Sequence, residues 1–137
     1  MTEISEGTWF GYQLTVATSG RPRAEPLIER YTVKKIDGDR VTVVKEINGG
    51  SPETIETKTG YGSYIFDLNG LERRGAENMK TAFGHMYVNI YESENDGSSE
   101  RVFLGKDGIA FRDIKTRHTE KGLYTETREL FWTNMKL

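Results

Sequence analysis

Apolar and polar residues alternate along most of the chain, the signature of half-buried β-strands. Over residues 8–16, Phe10, Tyr12, Leu14 and Val16 share one face. Residues 27–36 and 40–47 read as a hairpin: Tyr31 and Val33 alternate in one arm and Val41, Val43 and Ile47 in the other. Asp37-Gly38-Asp39 joins the arms, and Asp-Gly tolerates the positive φ that a tight turn needs. Asn48-Gly49-Gly50 supplies the next turn. A polar, Thr-rich strand at 53–59 suits the edge of a sheet, and 61–68 resumes alternation through Tyr64, Phe66 and Leu68. Residues 85–92 set Met86, Val88 and Ile90 against His85, Tyr87, Asn89 and Tyr91. After a polar turn at 93–99, a second hairpin joins 100–105 to 109–116 through Lys106-Asp107-Gly108. The last strand, 123–133, carries Leu130 and Trp132 opposite Phe131.

Two segments depart from this period. Pro22 and Pro26 predict an exposed loop over 19–26. Leu71, Met79 and Phe83 fall at helical spacing and predict one short helix near 71–83, although Gly75 interrupts it. The whole is a mainly β chain of about eight or nine short strands without βαβ alternation. It predicts an antiparallel up-and-down meander, curved strongly or closed as a barrel, with a sandwich as the alternative. A length of 137 residues fits one domain, 1–137. Apolar residues make up only 35% but aromatic residues 11%, so large rings must supply much of the core.

Charge and cysteine content narrow the function classes. Net charge is −2, and neither half of the chain carries a basic excess, which argues against phosphate-driven nucleic-acid binding. With no Cys, disulfides and thiolate metal sites are excluded. No stretch approaches the ~20 apolar residues of a membrane span. The opening Met-Thr-Glu-Ile-Ser-Glu does not read as a signal peptide, so a cytoplasmic location is the default expectation.

Gly7-Thr8-Trp9 on the first strand, with Arg128 near the last, is similar to the Gly-x-Trp motif and covering base of calycins, the lipocalin-like barrels. Trp9 lies opposite the apolar face of its strand, a departure from that pattern. Residues 80–117 run Lys-Thr-Ala-Phe-Gly, strand, acidic turn, strand, Lys-Asp-Gly-Ile, basic strand. This order resembles the second half of lipoprotein-carrier-like curved sheets, and the hairpin at 27–47 is also typical of them. Ala82 stands where that family has Pro, the Asp107-Gly108 turn is shorter, and no lipobox Cys is present. The resemblance implies a curved antiparallel sheet whose concave face can hold apolar material, and it does not imply catalysis.

No chemical motif survives a test of its spacing. His118 and Glu120 form an i, i+2 pair able to chelate a metal, but Arg117-His-Thr-Glu-Lys121 reads better as a solvated strand end. Glu92, Glu94, Asp96 and Gly97 mimic the start of a calcium loop, yet the twelfth position, which needs a bidentate Glu, is Phe103. Gly-x-Ser-x-Gly is absent. Gly60-Tyr-Gly-Ser leads into a predicted strand rather than the helix a phosphate loop opens. Gly20-Arg21-Pro22-Arg23 matches a minor-groove core but stands alone, beside Glu25. Metal and cofactor are therefore assigned as none, and catalytic residues as none.

The remaining feature is an aromatic row. His85, Tyr87, Asn89 and Tyr91 oppose the apolar face of their strand, and Trp9 precedes Gly11, which leaves room beside its indole. These five residues are the candidate ligand-binding set, with rings for stacking, His85 and Asn89 for polar orientation, and 71–83 as a lid. The expected function is non-catalytic binding of a small apolar or amphipathic ligand, or of a protein surface. The alternatives are an interaction module using the 53–59 edge, and a metal-dependent hydrolase centred on His118 and Glu120. Oligomeric state is left open by the sequence.

Overall fold

A computed structural model describes residues 4–19, 21–22, 25–58 and 63–137. The strands are β1 (Trp9–Thr18), β2 (Arg21–Pro22), β3 (Leu27–Asp37), β4 (Arg40–Ile47), β5 (Glu53–Lys58), β6 (Glu72–Thr81), β7 (Gly84–Asn95), β8 (Ser98–Leu104), β9 (Ala110–Thr119) and β10 (Gly122–Thr133). Nine of them form one antiparallel sheet in the order β5-β4-β3-β1-β10-β9-β8-β7-β6, and the two-residue β2 pairs with the end of β1. The mainly β meander holds. β5 and β6 do not pair, so the sheet is curved and open rather than a closed barrel.

Turn chemistry falls where the sequence puts it. Gly38 and Gly97 adopt φ of 63° and 78° in the β3–β4 and β7–β8 turns, and Asn48 joins them at 52°. Asn48 also locks the β3 entry: its Oδ1 accepts from Ile28 N at 2.8 Å while its own N–H donates to Ile28 O. The polar turn expected over 93–99 is shorter, because β7 runs to Asn95 and β8 starts at Ser98. Lys106–Gly108 forms a single 3₁₀ turn between β8 and β9.

The predicted helix at 71–83 is an error of period. Residues 72–81 form edge strand β6, paired along β7 with Glu77 opposite Val88 and Met79 opposite Met86. Gly75 marks a register shift after Arg73 instead of interrupting a helix. Among β6 side chains only Met79 is buried, so no alternation was available to identify it as a strand. The strand expected at 61–68 is absent from 63 onward, where the chain bends, and residues 59–62, including Gly60-Tyr61-Gly62, lie outside the described set. The thr-rich strand does lie at an edge, as β5, where its charges oppose pairing with other chains.

Aromatic rings hold the centre. Tyr12, Tyr31 and Phe66 meet edge to face with centroids 5.5–6.3 Å apart. Phe66 belongs to the 63–71 connection, which thereby lays a ring over β1 and β3. The Tyr12 hydroxyl is buried and donates to Ala110 O at 2.7 Å, tying β1 to the start of β9.

Candidate functional site

β7 enters the sheet through Thr81-Ala82-Phe83-Gly84, a turn in which Thr81 Oγ1 accepts from Phe83 N and donates to Gly84 O. Its first residues, His85, Met86 and Tyr87, then line a recess of about 360 Å³. The other walls come from Lys106 and Ile109 around the 3₁₀ turn, Phe111 at the start of β9, and Lys136 with Leu137 beyond β10. Ile109 and Phe111 are buried, whereas Tyr87 is 57% exposed, very open for a tyrosine. Phe111 is held firmly: Phe83 meets it at 6.4 Å between centroids, and Gly105 abuts it so closely that an added Cβ would collide with the ring. The recess thus has a rigid apolar floor, an aromatic wall and two lysines at its margin.

The five sequence-predicted residues are not gathered in one place. His85 and Tyr87 line this recess. Asn89 Oδ1 accepts from Arg73 Nε at 3.0 Å, which fixes the amide to β6. Tyr91 is half-buried against the core. Trp9 does not line the recess, and its strand is separated from β7 by β10, β9 and β8. Arg30 covers the Trp9 ring at 4.4 Å, so the expected covering role of Arg128 is overturned. The room beside Gly11 is filled by Trp132 from the paired β10. The 71–83 segment is a strand of the sheet, so it is no lid.

Sequence reasoning missed a second feature, a buried charge network on the face shared by Tyr12 and Leu130. Arg128 Nε donates to Glu29 Oε1 at 2.7 Å, with Nη2 reaching Oε2 at 3.4 Å. Tyr31 donates to the same Oε1 at 2.8 Å, and Lys45 Nζ lies 3.3 Å from Oε2. Glu29 is 1% exposed. Burial alone would raise its pKa, but the Arg128 bond and charge, with Tyr31 and Lys45, outweigh that and hold it below the usual carboxylate range. Across the next ladder, Asp113 is fully buried, 3.7 Å from Arg128 Nη1, and neither of its oxygens accepts a hydrogen bond. Burial, then the adjacent Glu100 carboxyl, pushes Asp113 up to about 8 against the opposing pull of Lys115 and Arg128. Burial beside a second carboxyl thus favours the protonated form of Asp113.

Among the described residues no three His, Asp or Glu side chains are arranged so that they could hold a metal ion. His118 lies near the end of β9, and Glu120 falls in the following turn rather than on the same strand face.

Comparison with known proteins adds little. No family model matches the chain, and no curated protein does. A DUF1329 family protein from Desulfovibrio piger is similar over 97% of this chain and 87% of its own, at 8% identity and a TM-score of 0.36. A likeness that shallow carries no argument about fold or function, and it does not support the calycin or lipoprotein-carrier resemblance.

Proposed function

We propose that this domain is a non-catalytic binding module for a small amphipathic anion, held in the recess beside Tyr87. One observation carries the reading: buried Ile109 and Phe111, the exposed ring of Tyr87, and Lys106 and Lys136 all line one recess. The volume of about 360 Å³ lies within the ordinary range of small-molecule sites. An apolar body would stack on Tyr87 and Phe111, and the two ammonium groups would favour a carboxylate or sulfonate head. His85 would orient that head. Trp9, Asn89 and Tyr91 lie outside the recess and are left out of the proposed site.

The test is a titration with dodecanoate, followed by amide chemical shifts. Shifts are expected at 85–87 and 106–111. Tyr87→Ala should weaken binding about tenfold, since losing most of a ring contact costs on the order of 1–2 kcal/mol. The fold should be unaffected because Tyr87 is so open. Saturable binding that leaves those amides unmoved, or no binding at all, would refute the proposal.

A further inference from the structure

We propose a second site, for a small zwitterion of the α-amino-acid type, at the opposite end of β7–β10. There a separate recess of about 320 Å³ is lined by Ser93 and Ser98 together with Glu100, Lys115, Arg117, Tyr124 and Glu126. Register explains why the charges meet: Glu126 faces Lys115, which faces Glu100, and in the next row Tyr124 faces Arg117, which faces Ser98.

What distinguishes this recess is how loosely its charges are held. Lys115 Nζ is 3.9 Å from Glu100 Oε2, its one ion-pair contact among the described residues. Glu126 Oε2 has the Tyr124 hydroxyl at 3.3 Å and Arg128 Nη2 at 3.6 Å. Arg117 lies over the Tyr124 ring at 4.9 Å and has no carboxylate partner among the described residues. On the same sheet face Arg128 and Glu29 make a 2.7 Å bond, so tight pairing is within its reach. Two cations and two carboxylates therefore surround one hollow, and among the described residues neither Lys115 nor Arg117 makes a close carboxylate bond. Behind them lies Asp113, fully buried between Val102 and Arg128 in register and beside the Glu100 carboxyl.

A simple anion entering the recess would meet Glu100 and Glu126, and a simple cation would meet Lys115 and Arg117. A neutral sugar would satisfy the hydroxyl-bearing walls but leave the four charges as they are. A molecule with a carboxylate and an ammonium a few bonds apart can complete both sets at once, and the hollow has room for one. The carboxylate would go to Lys115 and Arg117, the ammonium to Glu100 and Glu126.

The probes are L-glutamine, n-butyrate, n-butylamine and glucose, each titrated into the intact chain and followed by amide shifts and calorimetry. Glutamine should bind at millimolar concentration or better and move amides in 93–100 and 115–126. Lys115→Gln and Glu126→Gln should each weaken glutamine about tenfold, the effect of losing one charge-assisted contact. Arg117→Gln, on an exposed side chain, should do the same and keeps the test readable if either other variant fails to fold. Failure of glutamine to bind overturns the proposal. So does butyrate, butylamine or glucose binding as tightly as glutamine, or glutamine binding unchanged in folded Arg117→Gln. Shifts confined to 85–87 and 106–111 would assign the ligand to the other recess and overturn this one.

Discussion

Arg128→Met should lower the unfolding free energy by about 3–5 kcal/mol in a urea titration, the cost of stranding a buried charge by removing its partner. Glu29 would retain only the Lys45 contact at 3.3 Å and the Tyr31 hydroxyl, in a site where its own exposure is 1%. The double variant Glu29→Leu/Arg128→Met should recover most of the loss, because an apolar pair of similar volume carries no desolvation penalty. Exposed ion pairs rarely exceed about 1 kcal/mol. A single substitution costing no more than that would mean the network is hydrated rather than dry.

Asp113→Asn should abolish a decline in stability that the unsubstituted chain shows as pH rises. Burial and the Glu100 carboxyl push Asp113 up to about 8 in the folded chain, whereas an unfolded aspartic acid releases its proton near 3.9. Between those values the folded state binds the extra proton. The stabilisation is therefore complete below the unfolded value, falls as pH climbs toward 8, and levels off above it. The slope is bounded by about 1.4 kcal/mol per pH unit. Glu29 acts with the opposite sign: its lowered pKa adds stability above the unfolded carboxylate value, and that is lost in acid. Thermal melts across this range should thus peak on the acid side of neutrality in the parent. The asparagine variant should be flat from about pH 5 to 8, because its amide supplies a permanent donor toward Glu100. An unchanged slope in the variant would place the titrating group elsewhere.

β1, β3 and β4 could be read from the sequence because each buries one face and is followed at once by a residue at positive φ, namely Ser19, Gly38 and Asn48. Phe10, Tyr12 and Leu14, and likewise Val33, Val41 and Val43, occupy the interior positions that alternation assigns them. β6 could not be read this way. As an edge strand it has one neighbour and a solvated flank, and its one buried side chain, Met79, is too little to set a period. Leu71 and Phe83, which completed the apparent helical spacing, belong to a connection and a turn. Tyr64, Phe66 and Leu68 alternate, but there the chain bends to deliver Phe66 to Tyr12 and Tyr31. His85 and Tyr87 were visible as polar and aromatic groups opposite an apolar face. Lys106, Phe111 and Lys136 join them only through a turn and a chain end, which no local pattern encodes. The buried network did leave a signal. Glu29, Asp113 and Arg128 each sit two residues from a buried ring or leucine (Tyr31, Phe111 and Leu130), in phase with the interior, and charges of both signs at such positions require one another.

The sheet order also bears on how the chain finds its fold. β1 and β10 lie side by side in the middle, while β5 and β6, neighbours in sequence, occupy the two margins. Pairing Phe10 with Thr133 must close a loop of nearly the whole chain before any contact repays the lost entropy, whereas every other ladder of the main sheet joins strands close in sequence. Joining the present ends with a short linker and opening the chain between β5 and β6 would turn that one distant ladder into a local hairpin. Such a permutant should refold faster than the parent in stopped-flow measurements, with its amide spectrum unchanged away from the new ends.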